Sequence, residues 1–339
     1  MNISFRTRQR LKRAALITLV AVLILSLIGS LWFIWLKRYV VYTRTEGAVL
    51  DMDLPEDLTP GNPAQPKETT PVTIYYNEGE NAITTATEMT QLIGYYADEA
   101  ALSEGADLVL EQVKTLPAST PIMLDVKNAK GAFFYSSTVG ENRPSYIDTA
   151  AMDELIAYLD DNHFYTIARL PALRDYHYGL NHVSDGLPTS GGYLWADDDY
   201  CYWLNPSSQG TITYLISIIT ELKSLGFDEV VFDDFYFPDT DKIVFNGDKD
   251  EAIASAASTL VTAGSTDNFT VSFMGQAPTF PLPVGRSRLY LLGPSAAQAD
   301  ALAQQTDLED TAINLVFLTE VHDTRFNVYS VLRPLEAAH

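Results

Sequence analysis

The sequence predicts a (β/α)8 TIM barrel, somewhat degenerate in its second half. Three observations point there. Apolar runs of strand length alternate with helical patterns over about 250 residues, the usual size of such a barrel. One of these runs, residues 230–232, is continuously apolar, as expected of a parallel strand covered on both faces, and it leads straight into Asp233 and Asp234. No Gly-rich phosphate loop follows an early strand, which disfavours an open doubly wound sheet.

Taken in order, the strand candidates are residues 91–97, 121–126, 164–170, 230–233, 269–274, 288–292, 312–318 and 327–332. Between them lie helical patterns. Residues 102–116 place Leu108, Val109, Val113 and Leu116 on one face, and 149–160 carry the stripe Met152, Leu155, Ile156 and Leu159. Residues 210–225 are apolar at Ile212, Leu215, Ile216, Ile219 and Leu222. Residues 248–263 form an alanine-rich helix and 295–305 a further one. The gaps after the fifth and seventh strands are too short for full helices, hence the degenerate second half.

The flanking segments are of a different kind. Residues 14–36 carry no charge and are long enough for a bilayer core, and Arg6, Arg8, Arg10, Lys12 and Arg13 precede them. The segment reads as an uncleaved signal anchor, with residues 1–13 as a cytoplasmic tail. A cleaved signal peptide is the competing reading, but its apolar region is shorter. Residues 37–71 read as a Pro-rich extracytoplasmic linker, and 72–339 as the barrel domain at the outer face of the cell membrane.

Charge narrows the function. The chain has a net charge of −22, and residues 46–339 alone hold 14 basic and 44 acidic residues. A field of that sign repels nucleic acid. The apolar segment has no ionisable residue, which argues against transport. The single cysteine, Cys201, excludes an intrachain disulfide and reads as a small core residue.

Several pieces between about 120 and 240 resemble a known family as a set. They are Leu124-Asp125-Val126-Lys127-Asn128-Ala129-Lys130-Gly131 with Tyr135-Ser136-Ser137, Thr166-Ile167-Ala168-Arg169-Leu170 with Asp175, and Trp195-Ala196-Asp197. Trp203-Leu204-Asn205-Pro206 and Gly226-Phe227-Asp228-Glu229-Val230-Val231-Phe232-Asp233 complete the set. In order and spacing they resemble the glycoside hydrolase-like barrel domain, of the α-amylase-like superfamily, found in many uncharacterised bacterial proteins. The resemblance implies a barrel and hydrolysis of glycosidic bonds. The family usually follows its aspartate with Tyr-x-Arg-Phe-Pro; here Asp233 is followed by Asp234-Phe235-Tyr236-Phe237-Pro238, so Tyr236 stands where the arginine would be.

Glycoside hydrolysis needs two carboxyl groups, one to protonate the leaving oxygen and one to attack the sugar or activate water. The candidate catalytic residues are Asp233, Asp125 and Glu320. The fifth strand carries no carboxylate, although amylase-like enzymes keep their general acid there, so Glu320 or Asp125 is the candidate partner. Alternation along a strand predicts that only one of Asp233 and Asp234 enters the mouth. Period two also predicts an ion pair between Asp125 and Lys127. The candidate substrate-binding residues are Lys127, Arg169, Asp175, Trp195, Trp203, Asn205 and Asp234, the tryptophans through stacking on sugar faces. His177 with His182, and Asp197 with Asp198 and Asp199, lack metal-ligand spacing, so no metal or cofactor is expected. The expected partner is a polysaccharide or cell-wall glycan. The alternative is an inactive barrel that binds cell-wall glycan or a protein.

Overall fold

The structure is a computed structural model, and the residues it describes are 40–43, 47–50, 88–293 and 295–335. The chain divides into two units, 1–80 and 81–339. In the first, the strands Val40–Thr43 and Gly47–Leu50 pair antiparallel, with Val40 opposite Leu50. Both strands fall in the first part of the 37–71 segment, ahead of its prolines. The signal-anchor segment 14–36, the basic tail and most of the linker lie outside the described residues. Among the described residues no helix is long and apolar enough to cross a membrane.

In the second unit eight parallel strands close a barrel: β1 (Ile93–Ala97), β2 (Pro121–Asp125), β3 (Tyr165–Pro171), β4 (Glu229–Asp233), β5 (Thr270–Gly275), β6 (Leu289–Leu292), β7 (Leu315–Leu318) and β8 (Ser330–Pro334). Every strand candidate is present, with shifts of a few residues. The last strand pairs with the first, Val331 opposite Ile93, which closes the circle.

The helices follow the apolar stripes. In α3 (Thr149–Asp161) Met152, Leu155, Ile156 and Leu159 are all buried, and Asp148 caps the first turn by accepting from the N–H groups of Ala150 and Ala151. In α5 (Gln209–Ser224) Ile212, Leu215, Ile219 and Leu222 face the strands, capped by Ser208. In α6 (Lys249–Gly264), capped by Asp248, alanines allow close packing on the sheet. Burying each Leu or Ile side chain contributes about 1.5–3 kcal/mol.

Three expectations need correction. The single helix over 102–116 is two, α1 (Glu99–Glu104) and α2 (Ala106–Val113), broken at Gly105, whose φ of 151° a residue with a Cβ rarely adopts. The break turns Leu108 outward, 54% exposed, and buries Leu110 instead. The helix over 295–305 shrinks to α7 (Ala299–Ala303), and residues 312–314 belong to the short helix α8 (Thr311–Asn314) rather than to β7. In addition, α4 (Tyr176–Asn181) arises within the long segment after β3, where no helix is expected from the sequence.

Alternation along the strands sorts the interior. Met123, Ile167, Val231, Met274, Tyr290 and Val316 form one buried cluster inside the barrel. Below it, Glu229 is fully buried and accepts hydrogen bonds from Tyr165 Oη at 2.9 Å, Ser272 Oγ at 2.5 Å, Tyr290 Oη at 3.0 Å and the Arg288 guanidinium at 2.5 Å. Such a buried charge is tolerable because its lone pairs are all met. Two residues above the apolar layer, on the same face of their strands, stand Asp125, Arg169 and Asp233. That is the C-terminal end of the barrel, where barrels keep their chemistry.

Candidate active site

Asp125 ends β2 opposite Arg169 of β3, and Pro171 of β3 lies opposite Asp233 of β4. Arg169 therefore lies between the two carboxylates. It binds Asp125 in a fork, Nε to Oδ1 at 2.6 Å and Nη2 to Oδ2 at 2.9 Å. The Glu99 N–H donates to Asp125 Oδ2 at 2.8 Å. Burial works against the Arg169 charge, but Asp125, Asp233 and Asp98 outweigh it and raise its pKa. The partner of Asp125 is thus Arg169 and not Lys127. Lys127 lies beyond the end of β2 and turns to Asp175, Nζ to Oδ2 at 2.9 Å, and also donates to the Pro171 carbonyl.

The Lys127–Asp175 pair is wholly buried. Asp175 also accepts from the Tyr178 N–H at 2.8 Å, where it caps α4, and from Tyr214 Oη at 2.9 Å. With no exposed surface, these two side chains tie the β2 and β3 loops together rather than meet a ligand. Gly131, at φ 73°, lies so close that a Cβ there would fall 2.3 Å from Asp175 Oδ1.

Asp233 and Asp234 line the same cavity, of 560 Å³, together with Tyr236, Gly275, Gln276 and Gln298. Strand alternation predicts only one of the two there. Asp234 breaks the alternation because its φ is 49°, in the left-handed region that Asp tolerates better than most residues. Its N–H donates to Asp233 Oδ1 at 2.7 Å. Burial pushes the Asp233 carboxyl above the usual carboxylate range, against the pull of the Asp234 N–H and of Arg169. Burial and the Asp233 charge push Asp234 up to about 6, while Arg174 and Tyr236 pull it down. Arg174 Nη1 lies 4.0 Å from Asp234 Oδ2, and Tyr236 Oη lies 3.4 Å from Oδ1. The tyrosine that replaces the motif's arginine therefore still faces the acid, and a cation reaches it from the segment after β3.

Arg174 is the residue that sequence reasoning missed. It also binds Asp197, Nε to Oδ2 at 2.5 Å, and Asp199, Nη2 to Oδ2 at 2.6 Å. Asp197 accepts from the Trp203 indole N–H at 3.0 Å and from the Cys201 N–H at 2.9 Å. Burial works upward on Asp197, yet these bonds hold its carboxyl below the ordinary range. Asp197 is thus the hub of the loop. Cys201 is buried, and burial pushes its thiol up. Among the described residues no group of three or more His, Cys, Asp or Glu is arranged to hold a metal.

The other candidates fall at different places. Trp203 is 4% exposed and packs edge-on against Tyr236 at 5.0 Å, so it seals the mouth from behind rather than offering a stacking face. Trp195 is half-buried, 6.3 Å from Trp203. Asn205 shapes the turn before α5, its Oδ1 accepting from the Ser207 N–H. Glu320 is exposed after β7, close enough to Tyr96 that its charge, after burial, helps raise the tyrosine's pKa. It does not line the cavity of Asp233 and Asp234. Asp323 beside His322 is bound to Arg325 and caps a 3-10 turn.

The closed parallel barrel thus keeps paired acids at the C-terminal end of β4, the end where barrels place their chemistry. Residues 97–268 match the model of the DUF4015 family, described as "Putative glycosyl hydrolase domain", and the chain belongs to that family. No curated protein matches the chain. Among solved structures, a hypothetical protein from Ruminiclostridium thermocellum is 22% identical over 53% of this chain and 96% of its own, at TM-score 0.44. The exo-β-N-acetylglucosaminidase of glycoside hydrolase family 20 from Vibrio harveyi, in an inactive variant, is 8% identical over 72% of this chain, at TM-score 0.51. This chain spans 50% of that enzyme's length, and the likeness is one of fold. Ega3 from Aspergillus fumigatus, in complex with galactosamine, is 11% identical over 75% of this chain and 96% of its own, at TM-score 0.47.

Proposed function

We propose that the protein is a glycoside hydrolase that acts on a polysaccharide at the outer face of the cell membrane, anchored by residues 14–36. The observation that carries this reading is the carboxyl pair Asp233 and Asp234 in one cavity at the end of β4. Asp234, held at about 6, keeps a proton in mildly acidic conditions and has the character of a general acid. Asp233 acts as nucleophile or base. One of its oxygens is engaged by the Asp234 N–H and the other is left for the sugar or a water.

The earlier partner candidates fit less well. Asp125 has both oxygens committed to Arg169 and the Glu99 N–H, which makes it a brace for the arginine. Glu320 stands outside the cavity and remains a second acid at the rim. Kinship with the α-amylase-like superfamily belongs to the same proposal and rests on the aspartate at the end of β4.

Release of reducing ends from a panel of bacterial and plant polysaccharides tests the reading, with Asp233→Asn and Asp234→Asn alongside. The expected result is activity in the parent chain and its loss in both variants. One observation favours a second reading, an inactive barrel that binds cell-wall glycan or a protein partner: the cavity wall after β5 offers Gln276 and no carboxylate. Retained glycan binding without any cleavage would select it.

A further inference from the structure

The cavity of Asp233 and Asp234 has a neighbour. A second hollow, of 630 Å³, shares Tyr236 and Gln276 with it as a common wall. Its lining is of another character. Phe237, Phe280, Pro238 and Ile253 supply apolar surface, and Lys249, Asp239 and Asp250 supply charge. The floor is buried: Phe235 is 1% exposed and packs at a tilt on Phe273 and edge-on to Phe280, with ring centres 4.9 and 6.4 Å away. Phe237 is held by Phe245 at 4.8 Å, and the Lys249 ammonium lies 5.7 Å over its ring. On the shared wall the exposed Gln276 amide has no hydrogen-bond partner among the described residues, so its donor and acceptor are free for a ligand.

An apolar face beside charged hydrogen-bonding groups suits a pyranose ring, whose C–H face packs on aromatic surface while its hydroxyls need polar partners. A lipid would not need the free amide and the charges on the rim, and continuity with the proposed glycosidase acids selects a sugar over a peptide. We propose that this hollow is a second sugar subsite, so that the substrate is a linear glycan lying across Tyr236 and Gln276 with one unit at the acids and the next over Phe237. The inference rests on the glycosidase reading and adds to it that the substrate is longer than the bond it loses. Binding energy from the remote unit then serves the reaction at the acids.

Unmodified malto-, cello- and chito-oligosaccharides of two to six units test this, with kcat/KM of the full chain in detergent followed by product chromatography. In the series that is cleaved, kcat/KM is expected to rise at least ten-fold between two and four units. Phe237→Ala removes the packing surface, and Thr279→Trp fills the hollow from an exposed position on its rim. Both are expected to bring the tetrasaccharide down toward the disaccharide, with thermal melts showing that each variant is folded. Cleavage with no dependence on chain length, or a dependence that both variants keep, overturns the subsite and leaves the glycosidase standing. Neither cleavage nor binding of any series overturns the glycosidase reading and the subsite with it.

Discussion

Replacing Asp234 by asparagine should make the protein more stable at pH 8 while removing its activity. The side chain is 21% exposed, and burial with the Asp233 charge pushes its pKa up to about 6, from the 3.8 of a free aspartate. A raised acid binds a proton in the folded state that the unfolded chain has already released, so stability falls as pH climbs from about 4 to 6 and stays lower above. At about 1.4 kcal/mol per unit the full difference is about 3 kcal/mol. Water reaching the group reduces it, to a gain of about 1–2 kcal/mol for the asparagine variant. Asparagine keeps the shape and tolerates the positive φ, so backbone strain does not offset the gain. Urea melts of the full chain in detergent, parent and variant side by side at pH 8 and pH 4, measure it. The gap should be open at pH 8 and closed at pH 4. A variant no more stable at pH 8, or a gap independent of pH, would refute the claim that a desolvated carboxyl sits at this position.

Two further predictions follow from the ion pairs. Asp175→Asn leaves the Lys127 ammonium buried beside a neutral amide and should cost about 3–5 kcal/mol in a urea melt; a cost below about 1 kcal/mol would mean that water reaches the pair. Arg174→Gln removes a cation that pulls the Asp234 pKa down, so the alkaline limb of the pH–activity profile should move to higher pH. An unmoved limb would remove Asp234 from the role of proton donor.

β4 and β7 were legible because they are buried on both faces, which leaves an uninterrupted apolar run in the sequence, as in residues 230–232. The stripe of α3 was legible for the matching reason at period 3.6. The mouth was only half legible. Asp233 could be placed from its strand, but Asp234 enters the cavity through a backbone turn at φ 49° that no side-chain pattern announces. Asp125 was paired with Lys127 by counting along one strand, whereas the structure pairs it across to Arg169, and that choice depends on the register between β2 and β3. Arg174 was missed because it meets Asp234 across 60 residues of chain, and because it stands beside Asp175, the acid that drew attention. A signal was present in its neighbourhood: acids at 197 and 199 need a cation, and this segment has few. The assignments made for residues 1–36 concern parts of the chain outside the described residues.

The closure of the barrel has a consequence for how the domain can be divided. The family match ends at residue 268, after β4, yet Val331 pairs with Ile93, the Ser330 hydroxyl accepts from the Leu92 N–H, and the Gln91 amide donates to the Tyr329 carbonyl. A piece cut to the matched span, 97–268, would keep the acids but would lose β1 as well as β5–β8, leaving β2 and β4 each with an unpaired row of N–H and C=O groups. Exposed edges of that kind template pairing with other chains. The segment that carries the proposed chemistry thus depends on β1 and on β5–β8 to keep it from aggregating, and excision at the family boundaries should yield insoluble protein instead of a smaller enzyme.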